Sequence, residues 1–510
     1  MSGSMQGGAG PSGPVRPAIH YSPAATWLND PNGLIFHNSL WHLYYQTNPH
    51  GLTWGNMSWG HATSPDLAHW TEHETAISLD ETEEIFSGSM VCDETGSAGF
   101  GAGAVVAIYT SHRGNPEVGV HQTQALAWST DGGFTFHKFA GNPVLDRDSA
   151  DFRDPKVFRH EGRWIMVAVE AVENIVVLYA SDNLRDWELL SEFRDPAAAA
   201  PTWECPDLFP LPDEDGATCW VLILSVNPEA LTGGSGTRYY LGDFDGRTFT
   251  PSAGAGAGAG AGAQGWLDQS RDYYAAVSFF DAPDGRRVMI GWMNNWEYAH
   301  ALPPQPWAMQ MAWPRELSIA GSGQARTRRL IQTPTPLPTG PEGFTFEGPL
   351  DGLLTLPPAA SEAPALIQIE VERGQATHIE LTLGLTFVWE ADTLTVRPRI
   401  GLSDTPVGFD REVATPLSGD SHRFEIIVDH GSVEVFIDGG RTVLTQLCPP
   451  LLLNSPWTIQ VSGDPAQIHV RTRPLIWRDT DIGGATRDGA DGGVATVAGT
   501  AAATPSWAPP

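Results

Sequence analysis

Ser64-Pro65-Asp66-Leu67-Ala68-His69-Trp70 recurs, loosely, as Ser129-Thr130-Asp131-Gly132-Gly133-Phe134, as Ser181-Asp182-Asn183-Leu184-Arg185-Asp186-Trp187 and as Asp243-Phe244-Asp245-Gly246-Arg247-Thr248-Phe249. Each copy reads as a turn built on short polar side chains, followed by an aromatic plug. Repeats at this spacing suit four-stranded blades arranged around an axis. Between them run short stretches rich in Val, Ile, Tyr, Trp and Phe, broken by Gly, Pro, Asn and Asp, with no extended helical periodicity. The chain therefore reads as all-β. Four marked blades and the strand-rich stretch from Tyr273 to Leu317 predict a five-bladed β-propeller. A β-sandwich with coincidental turn motifs is the competing architecture.

The 510 residues exceed what one hydrophobic core organises, which predicts a large domain and a smaller one. Residues 19–332 fall to the propeller, and the Pro-rich residues 333–342 read as a linker. Over 343–478, strands such as Ala365 to Glu372, His378 to Phe387 and Arg423 to Ile437 alternate apolar and polar side chains in the manner of a two-sheet β-sandwich. Residues 1–18 and 479–510, poor in large apolar side chains, read as disordered. The Ala-Gly alternation of residues 252–263 contains a Gly-x-Gly-x-x-Gly string, but no β-α-β context surrounds it, so it reads as a surface loop.

A formal charge of −31 and only two lysines, Lys138 and Lys156, argue against nucleic acid or any other polyanion as a partner. A neutral sugar meets no such repulsion. No apolar stretch approaches the roughly 20 residues of a membrane-spanning helix, so no membrane partner is expected. Cys92, Cys205, Cys219 and Cys448 are scattered, without metal-ligand spacing. They read as reduced structural thiols, a Cys205–Cys219 bridge being the one pairing that proximity suggests. The start, through Pro14, lacks the apolar core of a signal peptide. The expectation is an extracellular protein whose signal has been removed, with a cytoplasmic one as the alternative.

Three segments set an acid among rigid, polar or aromatic neighbours: Trp27-Leu28-Asn29-Asp30-Pro31-Asn32-Gly33, Phe152-Arg153-Asp154-Pro155 and Trp203-Glu204-Cys205-Pro206-Asp207. Alone, the first is a good turn and the second a structural Arg-Asp pair. Together they suit glycosidic chemistry, in which one carboxylate attacks or steadies the cationic carbon and a second carboxylic acid protonates the leaving oxygen. Asp30 and Glu204 fit those two tasks. An apolar setting beside Trp203 would raise the Glu204 pKa, as a general acid requires. Arg153 would orient Asp154, bond a substrate hydroxyl or form a salt bridge. Acids so far apart in sequence meet only if a closed radial fold brings them to one axial pocket. A separation of about 5–5.5 Å between Asp30 and Glu204 would then mark a retaining reaction.

Around them Asn29, Gln46, Asn48, Trp54, Asn56, Trp59, Phe86, Ser87, Trp292, Asn294, Asn295 and Trp296 mix amides, a hydroxyl and aromatic plates, as sugar binding requires. Any one Trp taken alone is more simply core. Asn56-Met57-Ser58 matches a glycosylation acceptor but lies among these pocket candidates.

With these residues in view, the chain resembles glycoside hydrolase family 32, the fructan hydrolases and invertases. The resemblance rests on the three acid segments and on Gln46 with Trp54-Gly55-Asn56, Trp59-Gly60-His61-Ala62, Phe86-Ser87-Gly88-Ser89, Trp292-Met293-Asn294-Asn295-Trp296, Pro314-Arg315-Glu316-Leu317 and Ser432-Val433-Glu434-Val435-Phe436. It implies a five-bladed propeller joined to a β-sandwich, with no metal and no organic cofactor. It implies Asp30 as nucleophile, Glu204 as acid/base and Asp154 as the transition-state stabiliser that holds fructosyl hydroxyls with Arg153. Two stretches depart from relatives: Asp268-Gln269-Ser270-Arg271-Asp272-Tyr273-Tyr274-Ala275 and Trp307-Ala308-Met309-Gln310-Met311-Ala312-Trp313. Both are expected to border the pocket and to bear on substrate choice. The activity implied is a retaining β-fructofuranosidase acting on terminal β-D-fructosyl residues of sucrose, inulin or levan, as a monomer or homodimer. A fructosyltransferase is the alternative, and an inactive fructan-binding protein a remote one.

Overall fold

The structure is a computed structural model describing residues 16–476, apart from 116–118, 199, 253–263, 303–305, 323–327, 359–360, 399–405 and 449–454. The proposed disorder of 479–510 and the Ala-Gly loop therefore lie outside the described residues, as does the N-terminal segment up to residue 15.

Five small antiparallel sheets follow one another along the chain. The first holds β1 (Trp27–His37), β2 (Leu40–Asn48), β3 (Ser58–Ser64) and β4 (Thr71–Ile77). The second holds β5 (Glu84–Asp93), β6 (Ala104–Asn115), β7 (Gly119–Ser129) and β8 (His137–Lys138), with β9 (Leu145–Ser149) also on β7. The third holds β10 (Phe152–His160), β11 (Arg163–Glu170), β12 (Ile175–Ser181) and β13 (Glu188–Phe193). The fourth holds β14 (Thr202–Pro212), β15 (Thr218–Asn227), β16 (Gly236–Phe244) and β17 (Phe249–Pro251), with β18 (Gln264–Trp266) also on β16. The fifth holds β19 (Tyr274–Ser278), β20 (Val288–Trp292), β21 (Arg315–Ala320) and β22 (Arg329–Pro334).

Strand alternation explains why these sheets form a ring. On β11, Ile165, Val167 and Val169 pack towards the fourth sheet, while Trp164, Met166 and Ala168 pack towards the second. Both faces are apolar, so each sheet needs a neighbour on either side. Separate cores accordingly join sheets one and two, two and three, three and four, four and five, and five and one. That cycle is a five-bladed propeller. Each blade is made of consecutive strands, so the ring is closed without a shared strand: Leu28 and Ala308, Ala308 and Thr26, and Phe36, Phe280 and Leu34 exchange backbone hydrogen bonds across blades five and one.

The four repeated segments are the turns from the third to the outermost strand of blades one to four. In the first, Ser64 Oγ accepts from the backbone of Asp66 and Leu67, and Asp66 Oδ1 from that of Ala68 and His69. Ser129 with Asp131, Ser181 with Asn183, and Asp245 repeat this capture of the backbone by a short side chain. The aromatic plug differs in blade two, where Phe134 is exposed and Phe136 packs inward instead.

Beyond Pro334 the chain forms β23 (Phe344–Thr355), β24 (Ala365–Glu372), β25 (His378–Thr382), β26 (Leu385–Glu390), β27 (Thr393–Pro398), β28 (Val413–Pro416), β29 (Ser421–Asp429), β30 (Ser432–Ile437), β31 (Thr442–Leu447) and β32 (Thr458–Pro474). The first part of β32 pairs with β25 and the second with β24, so one long strand belongs to both layers of a sandwich. Ile369, Phe424 and Val435 of one layer meet Ile379, Phe387 and Trp389 of the other.

A buried charged seam joins the two domains. His20 Nδ1 lies 2.7 Å from Asp429 and its Nε2 2.8 Å from Glu434. Arg315 reaches Glu434 at 3.0 Å and Asp268 at 3.1 Å. Arg16 and Ala18, grouped by sequence with the N-terminal tail, are held here too: Ala18 donates to Asp429, and Arg16 caps the carbonyls of Pro23 and Ala24. Among the described residues no helix is long and apolar enough to cross a membrane.

Candidate active site

The innermost strands β1, β5, β10, β14 and β19 neighbour one another in a cycle around the axis. Within its sheet each has one ladder partner, and each is bulged near its start. The register slips between Leu28 and Pro31, Phe86 and Gly88, Arg153 and Lys156, Glu204 and Asp207, and Tyr274 and Val277. A bulge breaks the two-residue period and turns a side chain off the blade face. Asn29 and Asp30, Ser87, Asp154, Cys205 and Ala275 occupy these slips. Asp154, Cys205 and Ala275 take positive φ values of 63°, 46° and 52°, which non-glycine residues seldom adopt. Pro31, Pro155 and Pro206 sit at three of the bulges, on strands whose inner side carries no second ladder.

The bulges bring three carboxyl groups together. Asp30 accepts from Ser87 Oγ at 2.7 Å and from Asn29 Nδ2 at 3.0 Å, while Asn29 in turn accepts from the Trp27 indole at 2.7 Å. Asp154 accepts from the Cys205 backbone N–H at 2.9 Å, and its own N–H bonds Thr110 Oγ1 at 2.9 Å. Arg153 donates to Glu204 Oε1 at 3.1 Å, and the Tyr274 hydroxyl donates to Oε2. The Cys205 sulfur stands between the blades, 3.7 Å from Asp30 and 3.8 Å from Asp154.

Burial, then the charge of Glu204, lifts the Asp30 pKa to about 6, with the bonds from Ser87, Asn29 and Cys205 pulling the other way. Asp154 is also raised, by burial first; Arg153 opposes that rise and Glu204 adds to it. Burial disfavours the Arg153 charge, but Glu204, Asp154 and Asp151 outweigh it and keep the guanidinium protonated. Burial and the surrounding acids push the Cys205 thiol and the Tyr274 phenol well up, so both keep their protons. Glu204 is set differently from the sequence expectation. Strand alternation sends Trp203 into the core between blades three and four, leaving the carboxyl between a guanidinium and a phenol rather than against an indole.

The strands run inward from the pocket mouth, so the next residues close its floor. Ser89 Oγ donates to the Pro155 carbonyl, Asn32 accepts from Gly88 N–H, and Lys156 reaches the Ser278 carbonyl and stands 3.6 Å from Asp207. Asp207 also accepts from the Ser278 N–H and hydroxyl, both at 2.7 Å. This polar belt ties all five blades together beneath the carboxylates.

The sugar-binding candidates divide by place. Asn29 and Ser87 touch Asp30, and Arg153 touches Glu204. Trp54 meets Phe86 edge to face at 6.0 Å, with Asn56 exposed nearby in the turn that Asn48 braces. Gln46 bonds the Ile85 carbonyl and Trp59 the Phe86 carbonyl, so both support the wall from behind. Trp292 is 0% exposed and packs with Trp27, Tyr274 and Trp296, behind the site rather than at its surface. Asn294 bonds Met309, and Asn295 knits the loops around Ser235 and Arg271.

The stretch from Asp268 to Ala275 is split in the same way. Asp268 and Asp272 bond Thr445 and Leu447 of the sandwich at the domain seam, whereas Tyr274 enters the site. Tyr274, Thr110 and Cys205 were not singled out from sequence; the tandem Tyr273-Tyr274, one ring inward and one towards the axis, was the available signal. Cys205 faces the carboxylates and Cys219 the core between blades four and five, so no Cys205–Cys219 bridge forms.

The chain matches the glycosyl hydrolases family 32 N-terminal domain over residues 20–334 and the family 32 C-terminal domain over 366–455. It is 37% identical to a levanase of Bacillus subtilis, a match covering 85% of this chain and 66% of that protein. An extracellular exo-inulinase of Aspergillus ficuum is 38% identical over 85% of this chain and 89% of its own. Among solved structures, an exo-inulinase from Aspergillus awamori superposes with a TM-score of 0.81 at 31% identity, covering 91% of this chain and 99% of that one. A β-fructofuranosidase from Schwanniomyces occidentalis complexed with fructosyl-erythritol gives 0.79 at 30%, over 90% and 97%. A match to both family domains, and relatives alike along most of the chain, place this protein in glycosyl hydrolase family 32.

Proposed function

We propose that this glycoside hydrolase is a retaining β-fructofuranosidase that removes terminal β-D-fructosyl units from sucrose, inulin or levan. The observation that carries the reading is the convergence of three acids from three blades: Asp30 and Asp154 lie against the Cys205 sulfur, and Glu204 is held by Arg153, the neighbour of Asp154. Relatives named levanase, exo-inulinase and β-fructofuranosidase support the substrate class. In the first step Asp30 attacks the anomeric C2, Glu204 protonates the glycosidic oxygen, and the C2–O bond to the leaving sugar breaks. In the second, Glu204 takes a proton from water, the water oxygen bonds to C2, and Asp30 departs as a carboxylate. Asp154, held by the Cys205 N–H, accepts fructosyl hydroxyls, and Arg153 keeps Glu204 on the leaving-group side. Its similarity to an extracellular exo-inulinase also favours secretion, which fractionation of the producing culture tests.

Asp30→Asn is expected to lower kcat by at least roughly 10³-fold while sugar binding persists. Glu204→Gln is expected to harm sucrose turnover far more than turnover of an aryl fructoside, whose leaving group needs little protonation. Equal losses on both substrates would remove Glu204 from the acid role. Proton NMR of the first-formed fructose decides the stereochemistry, and an inverted anomer overturns the covalent route. Oligosaccharides in place of free fructose would favour the transferase.

A further inference from the structure

The second strand of each blade ends at the same mouth where the innermost strand begins, as Trp27 opposite Asn48, Thr202 opposite Asn227 and Tyr274 opposite Trp292 attest. Connections from second to third strands therefore form the pocket rim. On blades four and five these are residues 228–235 and the stretch opening at Met293. Asn295 joins them, accepting from the Ser235 N–H and donating to the Ser235 carbonyl. Trp296 of the same stretch stacks on Trp27 at 6.2 Å, and the Trp27 indole holds Asn29 beside Asp30.

Against this part of the rim lies a loop of the sandwich. Arg411 Nη2 bonds Glu297 at 2.8 Å, and its Nη1 bonds the Thr232 carbonyl at 3.1 Å. Phe409 meets Tyr298 edge to face at 5.1 Å. The fit is close on both sides: a Cβ on Gly233 would stand 1.9 Å from Arg411 Nη1, and one on Gly408 would stand 2.6 Å from the Glu297 carboxyl. The contact is a built one, yet the Arg411 side chain remains 46% exposed, and its guanidinium has more N–H donors than these two bonds use.

We infer that the sandwich loop Pro406–Arg411 forms the polymer-facing side of the pocket rim, and that Arg411 is a specificity-determining residue for substrates longer than a disaccharide. The inference rests on the fructosidase reading. A pocket closed below by the polar belt admits a terminal fructosyl unit; the rest of a fructan chain has to leave over the rim. Planar N–H donors there bond sugar hydroxyls without repelling a neutral chain. On this placement sucrose, with one further sugar, is the substrate that does not depend on them.

The test is Arg411→Ala against wild type, with initial rates on sucrose and on inulin and levan of defined length. KM for the polymers is expected to rise about fivefold, the worth of a partly exposed charged contact, with kcat on all substrates and KM for sucrose unchanged. Arg411→Lys, which keeps charge but loses the planar fork, is expected to recover part of the polymer affinity. Equal changes on sucrose and polymer, or no change on either, overturn the inference. A wild type that cleaves sucrose but neither polymer also overturns it while leaving the fructosidase reading intact. A wild type inert on all three overturns both.

Discussion

Asp30 has to be ionised to attack, yet its surroundings favour its proton. Its pKa near 6 therefore sets the acid side of the rate profile: kcat/KM falls as pH drops through about 6. The Ser87 hydroxyl at 2.7 Å favours the ionised form, so Ser87→Ala is expected to move that limb up by about one pH unit. A pH series of kcat/KM checks it, and an unmoved or lowered limb would contradict the assignment. The same pKa has a stability side. Because the folded-state value exceeds the usual 3.8, Asp30 contributes stability that is present below about pH 4 and lost as pH rises through about 6. Asp30→Asn is accordingly expected to melt higher than wild type at pH 7, with the gain vanishing at pH 4. Two thermal scans decide this, and a variant that melts lower at pH 7 would show that the carboxylate is not a cost.

The turns and the bulges show what the chain discloses about itself and what it withholds. Ser64 with Asp66, and Ser181 with Asn183, bond backbone two to three residues away, so residue type and spacing alone announced the blades. The slips in the five innermost strands depend on the partner strand, and no local pattern records them. Asp30, Asp154 and Glu204 were therefore legible as residues, but not the device that turns them inward. Trp292 and Trp203 show the same limit, since alternation alone does not say which face of a strand is core. The bulge at Ser87 can be tested directly. A Cβ on Gly88 would stand 2.2 Å from the Ile108 carbonyl and 2.7 Å from Tyr109 Cα, both backbone. Gly88→Ala is expected to push β5 from β6, cost about 1–3 kcal/mol, and lower kcat by taking Ser87 off Asp30. Near-normal melting with normal kcat would show that the bulge tolerates displacement.

At the scale of the molecule, the domain seam was invisible in sequence because its partners lie hundreds of residues apart. His20, enclosed by Asp429 and Glu434 with Arg315 and Asp268 beyond, has its pKa raised to about 9; burial opposes the charge and the two carboxylates override it. That stabilisation is complete below about pH 6.5 and is lost as pH climbs through about 9. His20→Gln is expected to cost about 3 kcal/mol at pH 7 and to flatten the fall in melting temperature that wild type shows between pH 7 and 10. Equal alkaline slopes in both proteins would relocate the effect. The prolines at the bulges act at this scale as well. Five innermost strands face one another along edges that carry no second ladder, an arrangement prone to zip together. Pro31, Pro155 and Pro206 have no N–H to offer across that gap, and the slipped residues beside them are out of step with any neighbour. The cavity stays open partly because its walls are unable to pair with themselves.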